Sequence, residues 1–187
     1  VEINGRFLAG KASTVEGWNR LAVQGNMNIY FIGDFLVDDL NVSGSLAVTN
    51  NATIRGYTKQ RTSRVMINVG GSISLNSQKN GTSYLRMSNV EINGQFLTGD
   101  ASTVEGWDRL IVKPQGTMKV KLTSHFQVDR LEVSGNLEIE NSAMIRGFSE
   151  NRTRDIVINN GGSITLDSQK TLGVSTIRAF HVNINGR

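Results

Sequence analysis

Apolar and polar residues alternate along most of this chain, and a glycine interrupts the alternation at recurring intervals. The pattern reads VEING-RFL around Gly5, LAVQG-NMNIYF around Gly25, LNVSG-SLAV around Gly44 and MINVGG-SISL around Gly71. It restarts as VEING-QFL at Gly94, then runs through LIVKPQG-TMKVKL at Gly116, LEVSG-NLEI at Gly135, IVINNGG-SITL at Gly162 and VNING at Gly186. Period two on both sides of each glycine predicts strands with one buried face. A glycine at each bend is expected to supply backbone conformations closed to residues that carry a Cβ.

The glycines are spaced 20, 19, 27, 23, 22, 19, 27 and 24 residues apart, so four short units make one longer unit of 89 residues. The longer unit repeats: residues 1–21 match residues 90–110 at seventeen of twenty-one positions. Self-similarity at such periods is the signature of stacked repeat architectures. The expected fold is therefore all-β, a parallel β-helix or β-solenoid with about four coils per repeat of about 90 residues. Eight coils at the strand spacing give a rod roughly 40 Å long. Two tandem β-sandwich domains are the alternative, because about 90 residues also suits a sandwich. Residues 1–89 form repeat 1, residues 90–181 repeat 2, and residues 182–187 read as the start of a third. The whole is expected to be one continuous solenoid that extends further.

One segment breaks the strand pattern. In ASTVEGW(N/D)RL, Ser13 with Glu16 and Ser102 with Glu105 match a helical capping box, ended by Gly17 and Gly106, which predicts a short helical turn. Trp18 and Trp107 then read as plugs seating that turn on the coil below, with a stacking platform for a sugar or partner as the functional alternative.

Composition narrows the functional classes. Twenty Lys and Arg against 16 Asp and Glu give a net charge of +4. The excess lies in residues 1–89, with nine basic and five acidic side chains, against eleven of each in residues 90–187. No basic stripe with stacking aromatics is evident, so nucleic acid is not the expected partner. No apolar run reaches the roughly 18 residues of a membrane-spanning helix, so membrane insertion is not expected. The chain contains no cysteine, which removes disulfides and thiolate metal sites. N-x-S/T sequons at Asn41, Asn51, Asn80 and Asn151 are compatible with secretion.

Candidate chemistry is sparse. His125 aligns with Asp34 and His181 with Asn89, so neither histidine recurs, and both read as solvated surface. Asp38 and Asp39, with Asp34, form the best carboxylate group for polysaccharide cleavage, yet the second repeat replaces them with Asp129, Arg130 and His125. Exposed turn charges are the expected role. The glycine doublets at Gly70–Gly71 and Gly161–Gly162 precede strands rather than helices, so they do not form a phosphate cradle. The reading is thus no enzyme, no catalytic residue, no metal and no cofactor. Arg55 with Arg146, each in IRG, and Arg61 with Arg152, each before Thr, recur at equivalent places. Stacking would set each pair four coils, or roughly 19 Å, apart on one side of the rod, a spaced cationic surface for a mineral or an anionic polymer.

The corners NVSGSLAV and EVSGNLEI resemble those of secreted parallel β-helix proteins, including bacterial filamentous adhesins, phage fibre segments and polysaccharide lyases. This resemblance implies an elongated extracellular scaffold and transfers no catalytic residue. In its lack of cysteine, mild basicity and long near-identical modules, the chain is also similar in character to the bulk cement proteins of barnacles. The expectation is a secreted structural or adhesive protein that self-associates and contacts surfaces, held together by its corner and plug residues Gly5, Gly44, Gly71, Gly94, Gly135, Gly162, Trp18 and Trp107. A carbohydrate-binding or polysaccharide-cleaving β-helix, or a phage or bacterial fibre segment, is the alternative.

Overall fold

The computed structural model describes residues 1–10, 17–30, 33–49, 52–56, 62–76, 83–99, 102–140, 144–147, 149–150, 153–167 and 176–186. In repeat 1 the strands are β1 (Glu2–Ile3), β2 (Arg6–Ala9), β3 (Trp18–Val23), β4 (Asn26–Tyr30), β5 (Gly33–Val42), β6 (Ser45–Thr49), β7 (Ala52–Arg55), β8 (Thr62–Ile67), β9 (Ser72–Asn76) and β10 (Ser83–Ile92), the last of which crosses into repeat 2. There follow β11 (Gln95–Thr98), β12 (Ser102–Val112), β13 (Thr117–Val133), β14 (Asn136–Glu140), β15 (Met144–Arg146), β16 (Thr153–Ile158), β17 (Ser163–Asp167), β18 (Thr176–Ile177) and β19 (Ala179–Ile184).

All strand pairings among the described residues are parallel, which is the arrangement of a solenoid and excludes hairpin sandwiches. Strands that follow a corner stack in the order β2, β4, β6, β9, β11, the start of β13, β14 and β17. Strands that precede a corner stack in a second ladder from β1 through β3, β5, β8, β10, β12, the end of β13 and β16 to β19. The pairing of β9 with β11 and of β8 with β10 joins the two repeats through the same ladders.

Register follows the repeat. Leu21, Leu40, Val65, Val90, Leu110, Leu131 and Ile156 are successive partners, and all are buried. On the other ladder Met27, Leu46, Ile73, Phe96, Met118 and Leu137 do the same. Because parallel stacking sets each apolar residue over its equivalent, apolar character at every stacked position fills the interior continuously.

The corners explain their glycines, though not in the way expected. Among the described residues only Gly70 and Gly161, the leading glycines of the two doublets, together with Gly17, Gly33 and Gly106, have positive φ. The corner glycines themselves are required by close approach. A Cβ on Gly44 would overlap the carbonyl oxygen of Gly25 directly beneath it, and one on Gly135 would overlap those of Lys113 and Gly116. The Gly44 and Ser45 amides donate to Val23 and Gly25 carbonyls at 2.9 Å, and this bonding draws successive corners together. Gly71, Gly94 and Gly162 are blocked in the same manner, whereas Gly5 has nothing within 4 Å. Corners also come in two lengths. At Gly71, Gly116 and Gly162 two extra residues are inserted, closed by amide donation to Asn68, Lys113 and Asn159 respectively at 2.8–2.9 Å.

The expected helical turn does not form in the second repeat. Residues Ser102–Glu105 pair with Ser83–Arg86 as strand, and Gly106, at φ 71°, marks an irregularity before pairing resumes at Asn89 and Arg109. A ladder of hydrogen bonds to a preformed rung outweighs a local capping box worth about 1 kcal/mol. In the first repeat Ser13 and Glu16 lie outside the described residues. Trp107 is fully buried, its ring between Phe96 (6.0 Å) and Phe126 (5.9 Å), and its Nε1 donates to the Leu85 carbonyl at 3.1 Å. Trp18 sits likewise between Phe7 and Phe35, at 6.4 and 5.8 Å, but is only half-buried.

Candidate surface-binding face

Stacking turns side chains from distant parts of the chain into columns about 4.8 Å apart. On the outer side of the pre-corner ladder one column runs without interruption through Arg20, Asp39, Arg64, Asn89, Arg109, Arg130, Asp155 and His181. Four of these eight are arginines. Outward positions on a strand alternate with the buried ones, so Leu21, Leu40 and Val65 anchor the backbone that presents Arg20, Asp39 and Arg64.

Charges along the column are partly compensated. Arg64 pairs with Asp39 at 3.5 Å, Arg109 with Glu132 at 3.4 Å and Arg130 with Asp155 at 3.7 Å, while His181 lies 3.5 Å from the other oxygen of Asp155. These long, solvated contacts contribute little stability each, about 0–1 kcal/mol. Arg109 and Arg130 stand on adjacent rungs, so like charges face the same solvent about 5 Å apart. Beside them a hollow of about 360 Å³ is bounded by Asp108, Arg109, Asp129, Arg130, Ser149 and Arg154. Asp129 is nearly buried and does not point free into it, because its carboxylate accepts from the Ser149 amide at 3.1 Å and from the Ser149 hydroxyl at 2.8 Å.

The arginines singled out by sequence fall on a neighbouring column. Arg55 on β7 and Arg146 on β15 are four rungs apart, through β10, β12 and β13, or roughly 19 Å. Arg55 is tied to Asp34, donating from Nη2 to Oδ2 at 2.6 Å, and this hydrogen bond raises its pKa above the ordinary arginine value. Arg146 is half-buried, and its Nε is enclosed without an acceptor among the described residues. Arg61 and Arg152 lie outside the described residues. Between Arg55 and Arg146, Arg86 pairs with Glu105 at 3.2 Å and lies over the Tyr84 ring at 5.9 Å.

The carboxylates considered for polysaccharide cleavage are also engaged: Asp34 by Arg55 and Asp39 by Arg64. The side chain of His125 lies outside the described residues. Among the described residues no group of three or more His, Asp or Glu side chains is arranged to hold a metal ion. On the opposite ladder the second repeat carries a compact ion network, with Lys119 bonded to Glu140 at 2.6 Å and to Glu138 at 3.0 Å, and Lys121 to Glu140 at 3.5 Å. The Lys119 hydrogen bond holds the Glu140 carboxyl below its ordinary range, and the bond to Glu140 correspondingly raises Lys119.

Counting back from the corners identifies the arginine column only when both corner lengths are known. Arg130 lies five residues before Gly135, whereas Arg64 and Arg109 lie seven before Gly71 and Gly116. A single fixed offset of five lands instead on Met66 and Ile111, two residues past Arg64 and Arg109 on the same face, and the column is missed.

The architecture is that of a parallel β-solenoid, with its charged groups displayed in outward columns. No family model, curated protein or solved structure matches the chain.

Proposed function

We propose that this chain is a structural and adhesive repeat protein of the extracellular space, one that self-associates and uses the outer side of its pre-corner ladder to hold an anionic surface. The observation that carries the reading is the arginine column, four guanidinium groups fixed at multiples of the rung spacing on a rigid backbone. Guanidinium groups bind carboxylate, sulfate, phosphate and carbonate oxygens in paired hydrogen bonds. A column of them matches a mineral face or an extended polyanion better than it matches a small ligand, and the weak intramolecular pairs at 3.4–3.7 Å exchange readily for stronger external ones. The corner pattern shared with secreted adhesins, and the character shared with barnacle bulk cement proteins, support the same reading, as do the cysteine-free composition and the sequons.

Adsorption to phosphate- or carbonate-bearing surfaces, followed by quartz crystal microbalance, tests this. The triple variant Arg64→Ser, Arg109→Ser, Arg130→Ser is expected to lose most adsorption at low salt. Unchanged adsorption by a folded triple variant would remove the column from the account. A second reading, with an acidic polysaccharide as the polyanion, is favoured by the polar hollow beside Arg109, Arg130 and Arg154. A glycan array with carboxylated and sulfated chains separates it from mineral binding.

A further inference from the structure

Where the two repeats join, the outer side of the pre-corner ladder is indented. On β10 the outward positions are Asn89 and Glu91, flanked by Arg64 and Met66 on β8 and by Arg109 and Ile111 on β12. These six side chains bound a notch of about 100 Å³.

Ionic contacts hold the notch open. Arg64 reaches away from it to Asp39, one rung earlier, at 3.5 Å, and Arg109 reaches away from it to Glu132, one rung later, at 3.4 Å. Glu91 is drawn toward the corner by Lys113 at 3.4 Å. Asn89 is shorter than the arginines on either side, and its side-chain amide donates to the Ser63 carbonyl at 3.3 Å, which holds it down on the strand.

Resting on the anion-binding reading of this face, we infer that the notch is a subsite for one carboxylate- or sulfate-bearing unit of an acidic polysaccharide. Its volume is that of roughly three waters at about 30 Å³ each, enough for one charged group and well below the roughly 300 Å³ at which small-molecule pockets begin. The notch therefore takes a pendant group, and the rest of the polymer lies along the face. Arg64 and Arg109 stand two rungs apart, so a group midway lies about 4.8 Å along the ladder from each, within the span of an arginine side chain. Turning both guanidinium groups inward breaks only two long, solvated ion pairs, and both then donate to oxygens of the same anion. Asn89 supplies a donor and an acceptor for a neighbouring hydroxyl.

The apolar residues favour a sugar over a mineral. Met66 and Ile111 point outward and are only half-buried, so they form a shelf that the C–H face of a sugar ring can cover, removing apolar surface from water. A flat lattice of ions gains nothing from such a shelf. The notch also shares Asn89 and Arg109 with the polar hollow beside Arg130, which gives the next units of the polymer a continuous path.

Titration calorimetry with an oligogalacturonate and a chondroitin sulfate oligosaccharide tests this, read beside adsorption to calcium carbonate. A neutral oligosaccharide and inorganic sulfate are the controls, and both are expected to bind about tenfold more weakly than the charged oligosaccharides. The variant Asn89→Arg adds a positive charge to the column and fills the notch. It is expected to weaken oligosaccharide binding about tenfold while carbonate adsorption holds or rises, whereas column charge alone predicts tighter binding of both. The variant Met66→Thr, Ile111→Thr keeps every charge and the strand preference, and is expected to weaken oligosaccharide binding roughly fivefold. Oligosaccharide affinity that holds or rises in Asn89→Arg, or is unchanged in the shelf variant, overturns the subsite and leaves the anion-binding face standing. A parent that adsorbs to carbonate but binds no oligosaccharide does the same. A parent that binds neither overturns both.

Discussion

Replacing the two tryptophans one at a time compares a half-buried ring with a fully buried one. Both occupy the same position in their repeats and both lie between two phenylalanines, so local sequence predicts equal losses. The structure predicts unequal ones. Trp107 is wholly buried and its indole donates to Leu85 at 3.1 Å. Removing such a ring to alanine costs about 4 kcal/mol in lost burial and cavity, and leaving the carbonyl short of a donor adds about 1 kcal/mol. Trp18, only half-buried, is expected to cost about 2 kcal/mol on substitution by alanine. A difference of about 3 kcal/mol corresponds to roughly 6–12 °C in melting midpoint for a chain of this size. Thermal unfolding of Trp107→Ala and Trp18→Ala, followed by far-UV circular dichroism in dilute solution, measures it. Equal midpoints, or a larger loss at Trp18, would refute the reasoning that rung coverage rather than local sequence sets the contribution.

Three further outcomes follow from the same geometry. Gly135→Ala drives a Cβ into the Lys113 and Gly116 carbonyls and is expected to cost about 1–3 kcal/mol, whereas Gly5→Ala, with open space around it, should stay within about 0.5 kcal/mol of the parent by denaturant titration. Glu140 has its folded pKa lowered, so its contribution is present above its ordinary value of 4.5 and is lost as pH falls through the folded value. Glu140→Gln should therefore flatten the decline of stability with acid that the parent shows below about pH 5, and an identical decline in both proteins would count against the Lys119–Glu140 network. Thr98→Val removes the hydroxyl that accepts from the Lys121 amide at 2.9 Å, and the freed, part-buried amide should cost about 1–2 kcal/mol in the same titration.

Much of the fold was legible because a solenoid writes its architecture locally. Alternation around Gly44 and Gly135 specifies two strands and a corner, and repetition of that unit specifies stacking. The reason for each glycine was not legible. Steric exclusion by the Gly25 carbonyl exists only once two corners are stacked, and a single corner suggests a demand on φ instead. The ASTVEGW segment misled for a related reason: Ser102 and Glu105 have capping spacing, but the strand Ser83–Arg86 that captures them is a tertiary partner no local pattern announces. The arginine column was hidden by two corner lengths, which shift Arg64 and Arg109 by two residues relative to Arg130. Arg55 and Arg146 stood out because they share a motif, yet Arg55 is already bound to Asp34.

The column gives the most direct test of the account, since both the fold and the proposed surface depend on it. A cysteine-free chain accepts spin labels at chosen positions without background. With one label at Arg20→Cys and the second in turn at Arg130→Cys, Asp155→Cys and His181→Cys, pulsed electron spin resonance should report separations of roughly 24, 29 and 34 Å, five, six and seven rungs of about 4.8 Å. Separations that fail to lengthen by one rung at each step would contradict a single in-register stack, and with it the arginine column.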